Sequence, residues 1–163
     1  MLFNVATAAV AFFAASASAV ALPQNDGNSA GSNMCDASTF NNGADLDIPQ
    51  ANAKDCTDLV KGLDTSQTWS VSKSWARLST QGTCAFSVRV IAGSKDGLVG
   101  GADLADLVND SVNKFQQSGQ VSCKGQFGQV VSAEGEVKCN TPSSGSQVRV
   151  EWVIAASSYN PSN

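Results

Sequence analysis

Any chemistry in this chain has to come from carboxylates, thiols and indoles, because its 163 residues include no histidine. That absence removes Ser-His-Asp and Cys-His arrangements, histidine metal ligands and the usual general base near neutral pH. A glycosidase-type mechanism needs only two acidic groups at a set separation. Two groups of acids could offer it: Asp103, Asp106 and Asp110 in one stretch, and Glu134, Glu136 and Glu151 nearer the end. Spacings of three and four, however, also describe an ordinary solvated helix face. We therefore assign no catalytic residue. Gly97-Leu-Val-Gly-Gly101 lacks the Walker lysine and the G-x-G-x-x-G order, so it reads as a loop and no cofactor is expected.

The five cysteines are Cys35, Cys56, Cys84, Cys123 and Cys139. They contain no C-x-x-C spacing, and without histidine a zinc site is disfavoured, so no metal ligand is assigned. An odd count leaves at least one thiol outside any intramolecular pairing, and about fifteen two-bridge schemes remain open. As a nucleophile, Cys123 has no activating partner visible in the sequence. Disulfides fit the N-terminus. Met1 to Ala21 carry no charge, Val5 to Ala15 form a short apolar run, and Ala-x-Ala patterns end at Ala19 and Ala21. Residues 1–21 therefore read as a secretory signal peptide, cleaved after Ala19 or Ala21, and the protein as secreted and extracellular. No later stretch is long and apolar enough for a membrane helix.

With 14 acidic and 10 basic residues the net charge is −4, which gives no footprint for nucleic acid or an anionic membrane. Asn109-Asp-Ser111 is an N-glycosylation sequon. Of Trp69, Trp75 and Trp152, the last falls in the apolar phase of its strand, whereas Trp75 is the candidate surface contact.

The elements that position these residues follow from periodicity. Residues 22–34 are polar and rich in Gly and Asn and are expected to be flexible, with order beginning near Cys35. Cys35 to Phe40 is expected to be extended, Asn41 to Gly43 a loop, and Asp47-Ile48-Pro49 a helix start. Ala53, Cys56, Leu59, Val60 and Leu63 recur at helical spacing. Thr68 to Val71 predicts a strand, and Lys73 to Thr80 a bent one. Cys84, Phe86, Val88 and Val90 alternate with Ser87 and Arg89, giving a strand apolar on one face. Leu104, Leu107, Val108, Val112 and Phe115 predict a second helix over about 102–117. Val130-Val131 and Glu136 to Cys139 read as strands, Val148 to Ile154 alternates clearly, and the tail 157–163 is expected to fray. The result is an α+β domain over 35–156, with two helices on one face of an antiparallel sheet.

Several stretches together resemble the secreted fungal effector domain called putative necrosis-inducing factor. They are Cys35-Asp-Ala-Ser-Thr-Phe40, Asp55-Cys56 with Leu59, Gly82-Thr-Cys-Ala-Phe86, Asp106-Leu-Val-Asn-Asp-Ser-Val112 and Val150-Glu-Trp152. The resemblance covers roughly Cys35 to Ile154. It implies a disulfide-stabilised fold of killer-toxin-like α/β sandwich type, and an effector acting outside the cell on a host or a competing microbe. It carries over no catalytic residue. Cys35, Cys56, Cys84 and Cys139 match its cysteine pattern and Cys123 departs from it, which makes Cys123 the unpaired thiol. Cys35 is expected to pair with Cys84, and Cys56 with Cys139. The protein is thus expected to be a monomer, or a dimer through Cys123, that binds an extracellular protein, membrane component or wall polysaccharide without catalysis. The competing readings are a carboxylate-dependent hydrolase of wall polysaccharide and a passive wall-binding or inhibitor protein.

Overall fold

The computed structural model describes residues 32–120 and 126–162. The expected leader, most of the segment 22–34 and Cys123 lie outside them. After an extended N-terminal strap the chain forms β1 (Asn41–Asn42), a 3-10 turn (Gly43–Leu46), β2 (Ala51–Asn52) and α1 (Ala53–Lys61). There follow β3 (Thr68–Val71), β4 (Ala76–Gln81), β5 (Cys84–Ala92), β6 (Gly97–Gly100) and α2 (Gly101–Phe115). The chain closes with β7 (Gln117–Gln120), β8 (Phe127–Val131), β9 (Ala133–Asn140) and β10 (Gln147–Ala156).

Period-two sequences build the main sheet, which is antiparallel, five-stranded and ordered β1-β9-β10-β5-β4. Val148, Val150, Trp152 and Ile154 of β10 are buried, as are Cys84, Phe86, Val88 and Val90 of β5. Both helices lie over this apolar face. Ala53, Cys56 and Leu59 of α1 and Leu104, Leu107 and Val108 of α2 join the same core. Trp152 is fully buried at its centre, edge-on to Phe40 at 5.2 Å and stacked on Phe86 at 6.3 Å. Its indole N–H donates to Ser38 Oγ at 2.7 Å, which meets the polar requirement of a buried tryptophan. Opposite Trp152 in the register stands Gly135, where a Cβ would meet the Thr39 carbonyl at 2.0 Å and the Trp152 ring at 2.7 Å. Glycine there lets the strap cross over the tryptophan.

Two smaller ribbons, ordered β2-β8-β7 and β3-β6, flank the main sheet. Helix α1 is capped by the Asn52 side chain, which accepts from the Lys54 amide at 3.0 Å, and it ends at Gly62. Helix α2 begins directly from β6. At its third position Asp103 accepts from the Gly100 amide at 2.8 Å, the acid half of a capping box.

The disulfide pairing differs from the expected one: Cys35 bonds Cys139, and Cys56 bonds Cys84. The reason is the path of the strap. It runs antiparallel along β9, with Asp36 N donating to Lys138 O and Thr39 N to Glu136 O, so Cys35 faces Cys139 with 4.0 Å between Cα atoms. Meanwhile α1 sits over the start of β5, bringing Cys56 to Cys84 with 5.1 Å between Cα atoms.

Local expectations shift for equally concrete reasons. Asn41-Asn42 pairs with β9 as an edge strand instead of looping free. Asp47 adopts a left-handed φ of 58° that closes the 3-10 turn, so the helix starts only after Asn52. Gly97–Gly100 is a strand paired with β3, not a loop. Order begins before Cys35, since Ser32 N donates to Thr65 O at 2.7 Å and Met34 N to Asp103 at 2.8 Å. The C-terminal segment, expected to fray, makes defined contacts as far as it is described. Arg77 holds it through the Ser157 carbonyl at 2.8 Å and the Tyr159 carbonyl at 2.6 Å.

Candidate interaction surface

The residues that carry the resemblance turn out to lock the scaffold. Asp55 and Cys56, adjacent on α1, grip Thr83 and Cys84, adjacent at the β4–β5 turn. One link is the disulfide. The other is the Asp55 carboxylate, which accepts from Thr83 N at 2.8 Å and Thr83 Oγ1 at 2.7 Å. Gly82 turns the chain at φ +52°, and a Cβ there would strike that carboxylate at 2.6 Å. In the strap, Cys35 is bonded to β9, Ser38 accepts from Trp152, and Phe40 packs on its ring. Leu107 and Val108 enter the core.

Asp103 belongs with the locks as well. Its buried carboxylate accepts from the amides of Met34, Cys35 and Gly100, tying the strap to the start of α2. Burial raises its pKa above the usual carboxylate value and outweighs the hydrogen bonds that lower it. Asp110 pairs with Lys114 at 2.6 Å one helical turn away, and Asp106 stands exposed. The aspartates of α2 thus form one capping group and a solvated face, not a catalytic pair.

The outer face of the main sheet is where polar and aromatic groups gather. Its lower half is closed by a small cluster of Ile48, Val153 and Ala155, with Trp75 and Tyr159 packed against it. Its upper half carries charge in register. Glu151 stands opposite Arg89 on one side and opposite Glu136 on the other. Arg89 Nε donates to Glu151 Oε2 at 2.7 Å, and both side chains are about a quarter exposed. Arg149, which faces Lys138 across the strands, reaches diagonally to Glu136 at 3.3 Å. Two like-charged cross-strand neighbours, Glu136 with Glu151 and Lys138 with Arg149, work against sheet stability, and the two guanidinium pairs offset this.

Trp75 completes the row. It is half-buried, with its ring 4.8 Å from the Arg89 guanidinium carbon, and its indole N–H donates to the Ser162 carbonyl at 3.3 Å. The result is a continuous band of Trp75, Arg89, Glu151, Glu136 and Arg149: an aromatic plate at one end, and beyond it two neighbouring glutamates flanked by two arginines. Such a band offers stacking, cation and carboxylate groups in fixed positions, which suits recognition by contact. Trp69 is half-buried against the main core and Trp152 fully so, leaving Trp75 as the tryptophan of this face. Asn109 is exposed on α2. Among the described residues no group of acids and cysteines is placed to hold a metal ion.

The residue-by-residue reading missed Arg89, Arg77 and Arg149. Arg89 and Arg149 fall on the polar phase of strands, where the alternation pattern was visible. Their partners became visible only through the register.

A family model described as "Pathogen effector; putative necrosis-inducing factor" matches residues 34–139. The closing Val150-Glu-Trp152 lies beyond the matched residues. No curated protein matches the chain.

Proposed function

The chain belongs to the Hce2 family of pathogen effectors, and from that premise we propose that it acts outside the cell by contact, through the outer face of its main sheet. Family membership carries the reading. The two disulfides support it, because sulfur bridges persist in oxidising compartments. The band from Trp75 to Arg149 supports the choice of face. Its groups are held by pairing and stacking, so a partner meets a preorganised surface and little ordering entropy is lost on binding. The partner is a host or competitor component, either a protein, a membrane component or a wall polysaccharide.

A second reading rests on one observation. Glu136 and Glu151 are cross-strand neighbours on an open face, the kind of juxtaposition a carboxylate-dependent hydrolase needs. Each already has an arginine as its partner, however, and both side chains are partly exposed on an open sheet face.

One experiment separates the two. The oxidised, purified protein is applied to plant tissue and to competitor cells, and in parallel to a panel of insoluble chitin and glucan with product analysis. We expect a dose-dependent response, no soluble products, and a loss of response in Arg149→Ala, whose exposed side chain can be removed with the melting temperature nearly unchanged. Repeated turnover abolished by Glu136→Gln or Glu151→Gln would establish the hydrolase instead. Retention on a wall polymer without any cellular response would point to a passive wall-binding protein.

A further inference from the structure

The sequon Asn109-Asp-Ser111 falls in the middle of α2, and the helix separates its two recognition groups. Asn109 is exposed to solvent. Ser111 has no exposed surface, and its hydroxyl donates to the Leu107 carbonyl at 2.7 Å in the helix interior. Residues two apart on a helix do not face each other, so no enzyme can hold the Asn109 amide and the Ser111 hydroxyl together while α2 exists. Around Asn109 the outer helix face is polar, with Asp106 exposed and Asp110 paired to Lys114. A bulky, hydrated substituent there would meet no packed neighbour.

We propose that Asn109 is a glycosylation site modified only before the domain folds, during passage through the secretory route. In that step the Asn109 amide nitrogen forms a bond to the anomeric carbon of a lipid-pyrophosphate-linked oligosaccharide. The sugar–oxygen bond to the pyrophosphate breaks, the lipid pyrophosphate leaves, and the amide proton passes to a base of the transferase. When α2 then forms, Ser111 turns into the core and the glycan stays on the solvent side. That side is the helix layer, across the sheet from the band of Trp75 to Arg149, so the glycan leaves the proposed contact face open.

The test has two arms. In the first, the full chain is produced in a eukaryotic secretory host, and peptide mass mapping with and without an N-glycosidase reads the occupancy of Asn109. We expect a glycan on Asn109 that is lost in Asn109→Gln and in Ser111→Ala and kept in Ser111→Thr. Asn109→Gln guards against misfolding as the cause, because its side chain is exposed. In the second, refolded and oxidised unglycosylated protein is incubated with membrane-bound oligosaccharyltransferase and its lipid-linked donor, beside the same protein reduced and unfolded. Modification of the unfolded sample alone is expected. A secreted, fully oxidised protein with bare Asn109 would overturn the site, and equal modification of the folded sample would overturn the order of events.

Discussion

The two ends of the described chain are both straps across the sheet, yet they are fastened by different physics. The N-terminal strap lies along β9 and is held by the Cys35–Cys139 disulfide, by Asp103 and by the packing of Phe40 on Trp152. The C-terminal strap crosses the outer face and is held by hydrogen bonds from Arg77 and Trp75, with Tyr159 packed on a small apolar cluster. The first is covalent and joins the main core through the half-buried Cys35 and Phe40. The second is polar, half-exposed and borders the proposed contact surface. The fold places its covalent link at the N-terminal strap and leaves weaker, polar contacts beside the proposed contact face.

The largest effect that tests this contrast is loss of a disulfide. In the chain-entropy account, a loop as long as that between Cys35 and Cys139 contributes about 4.7 kcal/mol and one the size of the Cys56–Cys84 loop about 3.6 kcal/mol, the sequence separations being 104 and 28. Replacing Cys35 and Cys139 by alanine should therefore lower the urea midpoint more than replacing Cys56 and Cys84. The reverse order would mean that the grip of α1 on the β4–β5 turn, and not the strap, governs stability.

Next comes Asp103. Replacing it by alanine leaves the amides of Met34, Cys35 and Gly100 without their acceptor, at a cost of about 1–3 kcal/mol. The more discriminating variant is Asp103→Asn, measured against pH. Well below the ordinary aspartate value of 3.8 the residue is protonated in both folded and unfolded chains; as pH rises the unfolded chain releases its proton first, because burial holds the folded group higher. The native state then binds more protons than the unfolded one, so the stability contributed at this position falls as pH rises through the folded pKa. Asparagine carries no such proton, and the stability gap between wild type and variant should narrow across that window. Urea midpoints of both proteins check the sign, and a gap that widens would show that the amide hydrogen bonds, not burial, dominate at Asp103.

Arg77→Ala is expected to cost only about 1 kcal/mol in global stability. Its clear signature should be local. Carboxypeptidase should trim the tail back toward Ala156 while the N-terminal strap stays intact, as read by mass spectrometry. Equal trimming in wild type would erase the contrast between the straps. Smallest of all, Glu151→Gln should change stability by less than about 1 kcal/mol, as expected for partly exposed ion pairs, so a larger drop would mark the charged band as structural.

The legible part of this molecule was periodic. Alternation in β5 and β10, the helical stripes of α1 and α2 and the apolar phase of Trp152 all follow from local spacing, because side-chain direction repeats every 2 residues in a strand and every 3.6 in a helix. The cysteines that form the bridges could be named, but not matched. Pairing depends on which segments lie side by side, and nothing local announces that a polar stretch such as Asn41-Asn42 will lie down along β9. For the same reason the carboxylates could be grouped only by their position along the chain. In three dimensions they divide into Asp103 under the strap, Asp55 at the turn, and Glu136 and Glu151 on the outer face.

The sequence by itself determined which residues face inward, because burial of apolar side chains acts on every strand and helix wherever it ends up. Only the tertiary structure decided the sulfur pairing, the anchoring of both straps and the assembly of Trp75, Arg89, Glu151, Glu136 and Arg149 into one band. Those features join residues far apart in the chain, and sheet register, a property of paired strands and not of either one alone, brings them within reach.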